Sequence, residues 1–367
     1  MLIFAQEPVL GQAQIYSISG RDAALRWKHA FDLASPCSVV QGEIAYDAGY
    51  DQKNHTNHIF ALHTNDGSIL WKTNAPGWDQ SESQPVIADG NIYLSEPDAS
   101  EQGHILAIRA SDGKLLWTLS LHNYPTSATV QPLAAGSGLL FVGSTEGIIR
   151  AYYSYNGALA WSSALSTKGD SVVLPVFSNE MLFVLSPLTN EVFALRARDK
   201  QIQWHLRQSS LSISSLIVEG THLYLSGSLA GGNDYVYVFD ARTSHLLWQQ
   251  RVVNSLDINV KEVGGVTYMT SQNYFYSLHA DTGLLIWQKQ EQDNVDYGQP
   301  AIINGVIFLK IFRSYCPSIF GLGCSTSSAR TMDAFWASNG SPYWEYTTDF
   351  AEHNTNVPPG IANYSKH

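Results

Sequence analysis

Charged residues are scarce in this chain. Asp, Glu, Lys and Arg together make up 14% of 367 residues against 44% hydrophobic, a balance that excludes an intrinsically disordered protein. Basic residues are the scarcer kind: 21 Lys plus Arg face 32 Asp plus Glu, for a net charge of −11. That sign argues against nucleic acid or an anionic membrane surface as the main partner. No apolar run approaches the roughly 20 residues that cross a bilayer as a helix, so the chain is not expected to be transmembrane. The opening MLIFAQEPVLGQ has no basic segment, and no signal peptide is read in it. Any signal or anchor segment is expected to lie outside this chain.

Cysteine is nearly absent. Besides Cys37 there are Cys316 and Cys324, which flank PSIFGLG inside the insertion RSYCPSIFGLGCSTSSAR at 313–330. A disulfide between them would close a short loop and contribute about 2–3 kcal/mol on a chain-entropy argument. It would also place the protein outside the reducing cytosol. Two free loop thiols are the alternative. Catalytic signatures are missing as well: no haem-attachment C-x-x-C-H, no Gly-rich phosphate loop and no G-x-S-x-G nucleophile turn. His55 and His58 share an Asn-rich loop without a third ligand nearby, too little for a metal site.

Aromatics are plentiful, at 12% with ten Trp and nineteen Tyr, and they are ordered. HIFALHTNDGSILW (58–71), HILAIRASDGKLLW (104–117) and YFYSLHADTGLLIW (274–287) are one hairpin written three times. The closing tryptophan recurs at Trp27, Trp71, Trp117, Trp161, Trp204, Trp248, Trp287 and Trp344, at spacings of 44, 46, 44, 43, 44, 39 and 57. Internal repeats at such a period, each with four strand-like runs and tight turns such as Asp89-Gly90 and Asp112-Gly113, predict an all-β fold. The expected architecture is an eight-bladed β-propeller of four-stranded antiparallel blades.

The blades are expected at 1–34 with 355–364, then 36–77, 81–122, 128–167, 171–210, 213–254, 257–292 and 297–350, as one domain. The chain starts at what reads as a second strand, LIFAQ. Its end, NVPPGIANYSKH, reads like a first strand. The expectation is therefore that 355–364 pairs with 2–6 and closes the ring, removing open sheet edges. The eight tryptophans are read as structural wedges on the outer strands, each burying about 150–250 Å² and needing one carbonyl partner, expected in the adjacent repeat.

The repeat resembles the A-x-D-x-x-T-G-x-x-x-W motif of the pyrroloquinoline-quinone-like (PQQ-like), quinoprotein-dehydrogenase-like propellers, over nearly the whole chain. SLHADTGLLIW (277–287), AIRASDGKLLW (107–117) and ALHTNDGSILW (61–71) carry it best. The copies are degenerate: the motif's Asp survives only as Asp240 and its Thr as Thr243 and Thr282, with Asp or Asn elsewhere. The Gly gives way to Ala23, Lys200 and Ser244. The resemblance implies two kinds of relative. One comprises dehydrogenases that hold the quinone and calcium in a central funnel, often under two adjacent cysteines. The other comprises non-catalytic propellers, among them the lipoprotein scaffold of the outer-membrane β-barrel assembly machinery and extracellular sensors. This chain has no adjacent cysteine pair.

The expected function is therefore a non-enzymatic, extracytoplasmic scaffold or sensor, monomeric, without cofactor, that binds a protein partner or small ligand. The alternative is a dehydrogenase dependent on pyrroloquinoline quinone and calcium, or a remnant that keeps the cofactor. In an A-B-C-D blade the short A–B and C–D turns share one face, and the long D–A and B–C connections share the other. Loops on a rigid scaffold carry binding, so the site is expected around the channel mouth on the long-loop face. Its candidate residues are Trp78, Asp79, Glu82, Asp170, Asp257, Asp293, Asp296, Tyr297, Glu352 and His353, an acidic rim with loop aromatics.

Overall fold

The structure, a computed structural model, describes residues 2–9, 12–31, 34–51, 56–74, 85–97, 102–122, 133–165, 172–253, 258–291, 294–315, 327–347 and 361–362. Every regular element among them is a β-strand. Packing gathers the chain into two compact units. The unit of residues 6–17 and 27–209 holds four four-stranded sheets, spanning 34–74, 86–122, 133–164 and 174–207. The unit of residues 1–5, 18–26 and 210–367 holds two four-stranded sheets, 211–252 and 258–290, and a six-stranded one over 294–362. A three-stranded sheet of Leu2–Val9, Gln12–Ser19 and Leu25–Phe31 has residues in both.

Within the four-stranded sheets, strands follow one another in sequence order and pair antiparallel, the meander of a propeller blade. Two expectations need correction. Among the described residues there are seven full blades, not eight, because the sheet of residues 2–31 has three strands. The described part of the tail does not complete it. Ile361–Ala362 pairs instead with the outer strand Pro342–Thr347 of the last sheet, Ile361 opposite Tyr346 and Ala362 opposite Glu345. Ring closure by the tail is thus not supported. The physical reason is that an outer edge offers the same unpaired N–H and C=O groups as an inner one, so a short extended segment is not specified by its own pattern.

Within each unit, tryptophans lock one repeat to the next. Trp71 Nε1 donates to the carbonyl of Ala110 (3.0 Å), Trp117 to Ser154 (2.9 Å) and Trp161 to Ala197 (3.0 Å). In the other unit, Trp248 donates to Ala280 (2.6 Å), Trp287 to Ala337 (3.0 Å) and Trp344 to Gly20 (3.3 Å). Every acceptor sits in the turn that leads into the tryptophan-bearing strand of the neighbouring sheet. That turn also supplies the seat: a Cβ on Gly113 would lie 2.5 Å from the Trp71 ring, and one on Gly283 2.6 Å from Trp248. Both glycines adopt left-handed φ, +71° and +68°. Two separate constraints, backbone and space, therefore demand glycine there.

The degenerate motif positions obey one local rule. Asp112 Oδ1 accepts from Lys114 N (3.1 Å), Asn156 Oδ1 from Ala158 N (3.0 Å) and Thr282 Oγ1 from Leu284 N (3.4 Å). Any short side-chain oxygen completes this turn. Opposite each outer-strand tryptophan the third strand places a small residue, as in Ala107↔Trp117, Ala151↔Trp161 and Ser277↔Trp287. The second strand then sets an aromatic ring against the same indole. Tyr93, Phe141, Tyr224 and Tyr268 lie 6.0, 5.9, 6.2 and 6.3 Å, centroid to centroid, from Trp117, Trp161, Trp248 and Trp287. The core is thus a series of interfaces between consecutive sheets, each built on one aromatic pair.

These contacts give three expected outcomes. Gly113→Ala adds about 1–2 kcal/mol of left-handed strain and about 1–3 kcal/mol of overpacking against Trp71. Gly90→Ala, at φ +75° with nothing within 4 Å, carries the strain alone; urea melts should rank the two variants in that order. The Ser277 hydroxyl is buried and has no partner among the described residues. Ser277→Ala should therefore raise stability by about 1 kcal/mol, and a fall in the melting midpoint would contradict this.

Burial lifts the phenol of Tyr276 to about 12 and raises those of Tyr93, Tyr152 and Tyr268. Since the folded state holds these protons more tightly, their contribution is intact below the unfolded value of about 10 and is lost as pH rises past it. Phenolate absorbance should show a late class of tyrosines that ionise together with unfolding. A single class titrating near pH 10 with the fold intact would contradict it.

Candidate functional site

Strand order fixes two unlike faces. Turns joining first to second and third to fourth strands share one end of each sheet, and the remaining connections share the other. At the short-turn end, neighbouring turns bind one another. Gly138 N donates to Asp89 Oδ2 (2.6 Å) and Ser137 Oγ to Glu180 Oε1 (2.6 Å). These two contacts tie neighbouring turns to one another.

Most of the expected rim lies outside the described residues: Trp78, Asp79, Glu82, Asp170, Asp257, Asp293, Glu352 and His353, and likewise Cys316 and Cys324. Asp296 and Tyr297 are described, on the strand Asn294–Tyr297, and they part company. Asp296 is exposed to solvent. Tyr297 is buried, its ring 6.2 Å from Phe275, and its carbonyl accepts from Asn259 Nδ2 (2.9 Å). Adjacent strand residues face opposite ways, so only the acid of this pair is available to a partner. His58 is a buried strand residue paired with Gly49 and Asn74. Among described long-face connections, Leu188 stands out at 58% exposed, while Glu146 is tied to Arg150 (3.5 Å).

One polar cluster has no counterpart in the motif reading. His222 is buried, with Nδ1 2.7 Å from Glu262 Oε2 and Nε2 3.2 Å from Asp281 Oδ1. Tyr224 Oη lies 2.7 Å from Thr267 Oγ1 and 3.3 Å from the same Glu262 oxygen. Burial, reinforced by Glu262, pushes this phenol far up and keeps it protonated. Lys261 Nζ meets Glu219 at 3.0 Å beside it. The partners are about one repeat apart in sequence, so the only available signal was that equivalent positions of successive repeats become neighbours. Its hydrogen bonds run from the sheet of residues 211–252 to the sheet of residues 258–290, so the cluster acts as a joint between two sheets.

Calcium takes six to eight converging oxygens. Among the described residues no group of three or more His, Cys, Asp or Glu is arranged to hold a metal ion.

Comparison with known proteins now places the chain. The family profile described as outer membrane protein assembly factor BamB matches residues 11–135 and 101–233, together more than half of the chain. The outer membrane protein assembly factor BamB of Salmonella typhimurium (strain LT2) is 26% identical over 266 residues, 69% of this chain and 64% of that protein. That of Escherichia coli (strain K12) is 26% identical over 263 residues, with 69% and 64% covered. The chain therefore spans somewhat under two thirds of the length of these relatives. Among solved structures, BamB from Moraxella catarrhalis superposes with a TM-score of 0.58 at 14% identity, covering 84% of this chain and 97% of that one. The quinohemoprotein alcohol dehydrogenase from Comamonas testosteroni superposes at 0.62 and 11% identity, covering 92% and 73%. Those two likenesses establish the β-propeller fold. By its sequence, this chain belongs to the family of the outer membrane protein assembly factor BamB.

Proposed function

We propose that this protein is a non-catalytic, extracytoplasmic scaffold, without cofactor, that binds another protein of an outer-membrane assembly system through its long-loop face. Membership of the BamB family is the observation that carries this reading. The division of labour between the two faces supports it. Short turns spend their polar groups on neighbouring turns, as in Asp89–Gly138 and Ser137–Glu180. Between outer strands and the first strands that follow them, the sequence carries Asp79, Asp170, Asp257, Asp293, Asp296 and Glu352. On this reading, carboxylates on the long connections would draw in a basic partner surface and set its orientation.

The triple variant Asp257→Lys, Asp293→Lys, Asp296→Lys tests the surface. It should leave the melting temperature within a few degrees and abolish salt-sensitive co-purification with outer-membrane assembly proteins from envelope extracts. Undiminished co-purification would overturn the long-loop assignment. Adding pyrroloquinoline quinone with calcium tests the reading against the dehydrogenase alternative: saturable binding with dye reduction would overturn the non-catalytic assignment.

A further inference from the structure

The residue two before the outer-strand tryptophan is an exposed aliphatic in sheet after sheet: Ile69, Leu115, Leu159, Ile202 and Leu246 are 42–55% exposed. Single exposed aliphatics are ordinary. On the sheet of residues 258–290 the feature widens to three consecutive side chains, Leu284, Leu285 and Ile286, at 65, 53 and 39%. They lead into the strand Leu285–Gln290, which ends its sheet and so has one unpaired backbone edge among the described residues. Native sheets usually blunt such an edge with charge, proline or a covering segment. Here the only charges along it are Lys289, paired with Glu291 at 2.7 Å, and nothing charged interrupts the aliphatic run itself.

The next sheet shows what this kind of edge accepts. Its outer strand Pro342–Thr347 carries Ile361–Ala362 as an added antiparallel strand, seated one and two residues after Trp344. The equivalent positions on the bare edge are Gln288 and Lys289, one and two residues after Trp287. At the covered edge, the place two before the tryptophan is Pro342 rather than a leucine or isoleucine. One molecule thus displays the same edge in both conditions, covered without the aliphatic run and bare with it.

We propose that the outer strand Leu285–Gln290 docks an extended segment of a partner protein by antiparallel strand addition, with aliphatic side chains of that segment packing on Leu284, Leu285 and Ile286. Main-chain hydrogen bonds give such binding its affinity and side-chain contacts its selectivity. The occupant is an unpaired, aliphatic-rich β-strand of another polypeptide. The inference rests on the scaffold reading for its partner class, and it uses a surface separate from the acidic rim.

The probe is a fluorescein-labelled ten-residue peptide of alternating Val and Thr with lysine at both ends, followed by anisotropy on the full chain. Saturable binding is expected. Leu284→Lys with Leu285→Lys and Ile286→Lys should weaken it at least about tenfold, equivalent to ~1.4 kcal/mol, without lowering the melting temperature. Leu115→Lys, at an exposed aliphatic of another sheet, should leave it unchanged. A peptide N-methylated at consecutive residues, unable to donate along either edge, should not bind. No binding by the wild type, equal binding by the triple variant, or equal binding of the N-methylated peptide would each overturn strand addition at this edge. The rim variant Asp257→Lys, Asp293→Lys, Asp296→Lys should bind the peptide normally, so failure of the rim assignment and failure of the edge are read separately.

Discussion

One hydrogen bond, from an indole N–H to a carbonyl in the next sheet's turn, sets the terms for the rest of this fold. A buried indole N–H needs a partner, and here the carbonyl of Ala110, Ser154, Ala197, Ala280 or Ala337 supplies it. To reach that carbonyl the ring must lie flat on the turn, where a Cβ would collide, as at Gly113 and Gly283. The strand behind must leave room, which Ala107 and Ala151 do. An aromatic from the second strand closes the remaining space. Four positions of the repeat are thus consequences of one contact. Where Ala23, Lys200 and Ser244 replace the turn glycine, the backbone keeps its left-handed φ of 57–58°, so the turn shape dominates residue preference.

That economy explains what was legible in the sequence. The all-β class, the four-strand repeat and the meander follow from tryptophan spacing and turn dipeptides, because each is set inside one repeat. The ends of the chain were not legible. Leu2–Val9 and Ile361–Ala362 both read as strands and both are strands. Their partners were misassigned because a strand's pattern states which face is buried, not which edge it joins. Two paired residues carry too little side-chain information to choose between an inner and an outer edge. The count of full blades fell from eight to seven for the same reason: the first sheet's missing strand was assigned to a segment that binds elsewhere.

The candidate site divides in a similar way. Tyr297 was grouped with the rim because it follows Asp296 in a loop-like run, yet strand alternation sends it into the core beside Phe275. His222, Glu262 and Tyr224 were passed over because no motif unites them; only stacking equivalent positions of successive repeats brings them within hydrogen-bonding range. Residue chemistry on one strand was readable. Chemistry shared between repeats was not, since it depends on which positions face one another across the sheet interface.

A propeller that spends its repeated residues on packing leaves two places for function, the loops and the outer edges, and these are under opposite physical pressures. Loops are free to carry charge, and the sequence of the long connections includes acids such as Asp79, Asp170 and Asp257. Edges must avoid joining copies of the same chain. A net charge of −11 supplies that protection at long range, since like-charged copies repel before their backbones meet. That repulsion weighs against a second copy covering the aliphatic edge at Leu284–Ile286, and it does not oppose a neutral or basic segment. The acidity that first argued against nucleic acid therefore also opposes edge-to-edge pairing of copies of this chain.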